Sequence, residues 1–220
     1  MRLLQVFQER SSAAVRERLR VAILRDVVPD AEARWIARAV FRAADDEAER
    51  LVARDCNAKP DCAPGCASCC HVHVEATDGE VHAVVENLAA SRSRAQLDEL
   101  VTRLERSALL GSDERWEARI PCAFLAADNT CSIHAVRPLR CRAFHSYSVG
   151  TCRDAFAGHT AALPQQRPAL TQLYQAAEEV LNELLLIAGH GTECVTLEAA
   201  VLRRLAARLV FSSGERPRST

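Results

Sequence analysis

Lysine is nearly absent: Lys59 is the only one among 28 basic residues, the rest being arginine. Aromatic residues make up 5% of the chain, and 29 acidic residues bring the formal net charge to −1. There is no global basic field and there are few interleaved aromatics, so neither a nucleic-acid surface nor attraction to an anionic membrane is expected. Arginine is so common that an Arg-rich stretch is weak evidence of a site. Long apolar runs are missing too. No segment approaches the roughly 20 uninterrupted apolar residues of a membrane span. The opening MRLLQVFQER lacks the apolar stretch of a signal peptide. A cytoplasmic protein is the expectation.

What the chain has is cysteine, ten in 220 residues. CAPGCASCC, residues 62–70, holds four in nine positions, and Cys122, Cys131, Cys141 and Cys152 follow with 8, 9 and 10 residues between them. A chain of this length can build a hydrophobic core without cross-links. In a reducing compartment, clustered cysteines serve metal or redox chemistry more often than disulfides.

Apolar residues recur at helical spacing in Val15, Leu19, Ala22 and Ile23. After the break at VVPD they recur in Ile36, Val40, Ala43 and Leu51, which predicts an antiparallel helical pair over residues 1–55. Thr77 and Glu80 form a capping-box pattern ahead of Val81, Val85 and Leu88, although Gly79 weakens that helix. Leu97, Leu100, Val101 and Leu104 mark another helix. Residues 165–188 read as a helix ending at GHG, and a last one begins near Thr196. No strand–helix alternation is visible. The expected fold is mainly α: an N-terminal helical pair (1–55), an irregular cysteine-rich metal-binding core with at most short strands (56–158), C-terminal helices packing on the same core (159–212) and a tail (213–220).

Both cysteine blocks are rich in turn formers, among them Pro60, Pro64, Gly65, Pro121, Asp128, Asn129 and Pro138. Chain of that kind gains order from a metal, because binding energy at a thiolate site becomes folding energy. Eight residues, Cys62, Cys66, Cys69, Cys70, Cys122, Cys131, Cys141 and Cys152, suffice for two four-thiolate sites or two iron–sulfur clusters. In extended chain Cys69 and Cys70 point to opposite sides and serve two metals or two edges of one cluster. Cys56 and Cys194 are left over. HVHVE, residues 71–75, reads as a short strand with His71 and His73 on one face. These two and His145 are further candidate ligands, though a solvated polar face explains the first two more simply. Cys131 with His134 has the elements of a nucleophile pair, but Cys131 is better explained as a ligand.

CAPGCASCC together with PCAFLAADNTCSIHAVRPLRCRAF resembles the YkgJ-like, or CxxCxxCC, cysteine-cluster proteins, described as zinc- or iron-chelating domains. The second stretch is similar to the family's run through Pro121, Cys122, Leu125, Cys131, Ser132, Ile133, Arg137, Pro138, Cys141 and Arg142, and Cys152 stands where many members have a further cysteine. The resemblance covers about residues 62–154. It implies a zinc site, or protein-bound iron or an iron–sulfur cluster. It also implies that Arg137 and Arg142 offset the thiolate charge and donate hydrogen bonds to sulfur or to a carboxylate.

Two departures stand out. Three residues rather than two separate Cys62 from Cys66, so that Cys56 is an alternative ligand, and His134 replaces a usual Tyr. Cys62, Cys66 and Cys69 also match the Cys-x3-Cys-x2-Cys spacing of radical S-adenosylmethionine enzymes, but the barrel those enzymes need is not in this chain. The family's occurrence in bacterial flagellin lysine N-methylases implies redox or protein-modification chemistry, yet no glycine-rich nucleotide loop is present. The alternative is a structural-zinc module that binds a partner protein. The expected partner is a protein or small molecule of unspecified identity.

Overall fold

The helical spacing of apolar side chains produces nine α-helices among the described residues, which in this computed structural model are 2–24, 32–55, 59–159 and 165–212. They are α1 (Arg2–Leu24), α2 (Ala33–Arg54), α3 (Asp78–Ser91), α4 (Arg94–Ala108), α5 (Ser112–Glu117), α6 (Leu139–Ala143), α7 (Val149–Ala157), α8 (Pro168–Ile187) and α9 (Leu197–Ser212). Two three-residue strands, β1 (Glu75–Thr77) and β2 (Cys194–Thr196), pair antiparallel with Ala76 opposite Val195. The mainly α expectation therefore holds. Among the described residues no helix is long and apolar enough to cross a membrane.

Two apolar clusters organise the helices. Helices α1, α2 and α8 meet around Leu19, Ile36, Val40, Phe41, Leu173, Leu181 and Leu185. Arg16 reaches Glu179 at 3.1 Å and Arg20 reaches Glu183 at 3.0 Å. Both helices advance by four residues between these pairs, so α1 runs parallel to α8. Helices α3, α4 and α9 enclose the second cluster, with Val81, Val84, Leu88, Leu100, Leu104, Val201 and Leu205. Helix α3 is the shared wall, because Ala83 faces the first cluster while Val81 and Val84 face the second. Each fully buried Leu or Val contributes about 1.5–3 kcal/mol, so these clusters set the frame on which the cysteine segments are carried.

The Thr77 capping box forms. The Thr77 hydroxyl accepts from the Glu80 amide, and the Glu80 carboxylate accepts from the Thr77 amide at 2.8 Å. Gly79, which weakens α3 on propensity alone, is explained by packing: a Cβ there would lie 2.7 Å from the Ala33 carbonyl oxygen. Gly79→Ala is accordingly expected to destabilise the fold by about 1–3 kcal/mol, since the obstacle is backbone. A denaturant midpoint equal to that of the unaltered chain would refute this.

Three local expectations need correction. The HVHVE strand is displaced: His71 closes a 3-10 turn, Ser68–His71, and the strand begins only at Glu75, where β2 offers partners. Cys69 and Cys70 lie in that turn rather than in extended chain. The second cysteine block is also less irregular than its turn formers imply, because Cys141 lies on α6 and Cys152 on α7. Pro138 precedes the first turn of α6, and the Ser148 hydroxyl caps α7 by accepting from the Thr151 amide.

Candidate metal centre

The first cysteine block turns twice. Gly65 takes a left-handed φ of 88°, the Cys66 amide closes the turn on the Ala63 carbonyl at 2.9 Å, and the 3-10 turn follows with the Cys70 amide on Ala67. A tight hairpin carries Cys122 and Cys131. Leu125 bridges Cys131, the Asp128 carboxylate accepts from the Thr130 amide and hydroxyl, and Asn129 supplies the left-handed position with φ 62°. The Cys122 amide donates to the Cys70 carbonyl at 2.7 Å, which ties the hairpin to the first block. At the other end the Asp61 amide donates to the Ser146 carbonyl at 2.9 Å and the Ser146 amide to the Cys62 sulfur at 3.2 Å. Those bonds draw Cys62 toward the start of α7 and so toward Cys152.

Most of the eight cysteines fall into two groups, defined by which thiols stand near enough for a thiolate on one to disfavour ionisation of the next. Cys62 has Cys66, Cys69 and Cys152 as such neighbours, and Cys66 has Cys69 and Cys152. Cys70 has Cys69, Cys122 and Cys131, and Cys141 has Cys122, Cys131 and Cys69. Cys62, Cys66 and Cys152 thus form an outer set and Cys70, Cys122, Cys131 and Cys141 an inner one, while Cys69 neighbours Cys62 and Cys66 on one side and Cys70, Cys131 and Cys141 on the other. Cys122 and Cys131 of the inner group pack against the second apolar cluster. Cys62 of the outer group and Cys69 are exposed. Cys194 stands apart, with charged rather than thiol neighbours, and Cys56 lies outside the described residues.

A family model described as "CxxCxxCC: Putative zinc- or iron-chelating domain" matches residues 61–183, more than half of the chain. The chain belongs to the CxxCxxCC family. The match begins at the outer group and extends through α7 into α8, beyond the motifs themselves. No curated protein and no solved structure matches the chain.

The donor chemistry suits the metals named for the CxxCxxCC domain, since the neighbouring donors are thiols, ligands that zinc and iron both accept. Among the described residues no three His, Cys, Asp or Glu side chains stand close enough together to hold a metal ion as they are. Burial and mutual repulsion push the thiols of Cys62, Cys66, Cys131 and Cys141 up, and burial with the nearby Glu198 carboxylate pushes that of Cys122 to about 12. Cys69 is the exception. A hydrogen bond from the Cys70 thiol brings it down to about 7, and Arg137 acts in the same direction, while Cys70 is pushed up in turn. Metal uptake by such thiols releases protons, so affinity falls as the solution is acidified.

The two motif arginines are placed differently. Arg137 lowers the cost of a thiolate at Cys69, Cys131 and Cys141, and its buried Nε has no hydrogen-bond partner among the described residues. Arg142 is buried, donates to the carbonyls of Arg137 and Ala135 at 2.9 Å each, and meets the Asp45 carboxylate. The histidines make mostly backbone bonds. His145 pairs with the Ala143 carbonyl and the Arg167 amide, and His73 with the Leu110 carbonyl and Arg115. His71 bonds the Ala67 carbonyl and its ring lies 4.4 Å from that of Phe156.

Residues to which the sequence assigns no role beside the cysteines complete the surroundings. Glu80 is buried and accepts from the Leu139 amide at 2.9 Å, which fixes the start of α6 and hence Cys141. Behind Cys122 lies a buried pair, Arg115 and Glu198, with His73 beside it. The sequence marks Glu80 as half of a capping box but not as the partner of Leu139, and it marks Glu198 by a charge amid the apolar positions of α9, legible as a partner only once Arg115 is in place.

Proposed function

We infer that this chain binds two metal equivalents, zinc or iron, in adjoining thiolate sites that meet at Cys69. The observation that carries the reading is the separation of the cysteines into an outer three and an inner four, with Cys69 beside both and available to complete the outer site. The inner set, two of whose members, Cys122 and Cys131, pack against the second apolar cluster, acts as a staple that holds the hairpin, α6 and the first block together. The outer set lies beside a cleft of about 470 Å³ lined by Asp61, Gly65, Cys66, Val149 and Arg153, where a small molecule or another protein has access. When bound, zinc supplies a redox-inert cross-link and iron an electron-carrying centre. In both cases Arg137 offsets part of the thiolate charge and Arg142 holds the chain between Cys131 and Cys141.

The test is elemental analysis and visible absorption of protein made and purified without oxygen. Two equivalents of zinc without colour, or iron with sulfide and a broad visible band, support the two-site reading and say which metal the site keeps. One equivalent or none refutes it.

A further inference from the structure

Glu198 stands on α9, outside the stretch matched by the family model, yet it reaches the inner cysteine group. It is 2% exposed, and Arg115, its partner, is fully buried. A buried ion pair is weak evidence for stability, because apolar residues of similar volume often serve as well or better. Its presence calls for another reason, and the hydrogen bonds supply one. Glu198 Oε1 accepts from the Ala123 amide at 2.8 Å and from the Ser107 hydroxyl at 2.8 Å, while Oε2 meets Arg115. Arg115 in turn donates to the Ile120 carbonyl at 3.2 Å. The backbone on both sides of Cys122 is therefore gripped: Ile120 and Ala123 by the ion pair, and Cys122 itself by the Cys70 carbonyl.

We propose that Glu198 is a positioning residue for the inner metal site, which makes α9 part of the metal centre. The proposal rests on the two-site reading above. The Glu198 carboxylate fixes the Ala123 amide, and with it the direction in which the Cys122 thiol points. Arg115 offsets part of the carboxylate's charge, which by itself disfavours a thiolate at Cys122. Side chains that orient metal ligands in this way commonly alter affinity about 10- to 100-fold when removed.

Removing either partner alone strands a charge, so the test uses two double variants of the full chain. Glu198→Ala with Arg115→Met deletes both the ion pair and the Ala123 acceptor. Glu198→Gln with Arg115→Met deletes the ion pair but keeps an oxygen where Oε1 accepts from Ala123 and Ser107. Metal-free, reduced protein is titrated with cobalt(II) alone, reading the thiolate-to-cobalt absorption, and hydrogen exchange follows the Ala123 amide.

The first variant is expected to bind at the inner site about 10- to 100-fold more weakly, with an altered cobalt spectrum and faster exchange at Ala123. The outer site is expected to be unaffected, and the Gln variant to recover most of the loss. Wild-type-like binding by both variants overturns the proposal, as does equal weakening of both, which assigns the effect to the ion pair alone. An unaltered chain that takes up fewer than two cobalt ions overturns the two-site reading beneath it, a result recognisable before any variant is made.

Discussion

Cys141→Ser is expected to lower the metal content by one equivalent and to unfold much of residues 59–159 at ordinary temperature. Cys141 lies on α6 with Cys122 and Cys131 as thiol neighbours, and burial pushes its thiol well up, a cost that a bound cation would offset. A structural thiolate site supplies on the order of 10 kcal/mol of folding free energy. Net stabilities of whole domains are about 5–15 kcal/mol. On the two-site reading, weakening one of four thiolate bonds therefore removes a share of stability that the flanking helices cannot make up, because the hairpin and the 3-10 turn have few regular hydrogen bonds of their own. Cys66→Ser removes the other equivalent at a much smaller cost, since its loop sits on the surface beside the cleft. Cys194→Ser, with no thiol neighbour, leaves metal content unchanged. Metal-to-protein ratio and melting temperature measured on the three variants check this, and equal destabilisation by Cys66→Ser and Cys141→Ser would end the distinction between an inner and an outer site.

The elements that could be read from the sequence share one property: their determinants are local. The capping box at Thr77 and Glu80, the apolar spacing of α4 and the glycine stop after α8 each lie within a few residues of the structure they specify. Sulfur spacing was local in the same sense, so the candidate ligands were visible although their division into groups was not. That division depends on the Asp61–Ser146 and Cys70–Cys122 backbone bonds, which span tens of residues of chain. The displaced strand follows the same rule, because β1 is set by a partner near residue 195 and not by the alternation of HVHVE. Helices α6 and α7, at five and nine residues, are too short for periodicity to mark them. Buried charges were hardest of all. Glu198 and Asp45 look like ordinary polar positions on amphipathic helices until Arg115 and Arg142 arrive from elsewhere in the chain.

Arg142→Lys is expected to destabilise the protein by several kcal/mol and to weaken inner-site metal binding in the same step. The guanidinium joins three things that a lysine ammonium cannot join at once. Nε and Nη2 donate to the carbonyls of Arg137 and Ala135, Nη1 meets Asp45 on α2, and the planar group lies 4.7 Å from the Phe41 ring centre. Each carbonyl that loses its donor where water does not replace it costs about 1–3 kcal/mol. Asp45, whose side chain is 44% exposed, recovers water when its partner goes, so Asp45→Asn has a small effect and serves as the control. The two carbonyls belong to the chain between Cys131 and Cys141, and Phe41 and Asp45 belong to the α1–α2–α8 frame. Arg142 therefore transmits the rigidity of the helical frame to the spacing of two inner thiols. Denaturant midpoints and cobalt(II) titrations on Arg142→Lys, Asp45→Asn and the unaltered chain measure both consequences. A lysine variant that keeps the unaltered midpoint would show that the carbonyls find other donors. One that loses stability but keeps its cobalt affinity would show that the frame and the metal site are mechanically independent.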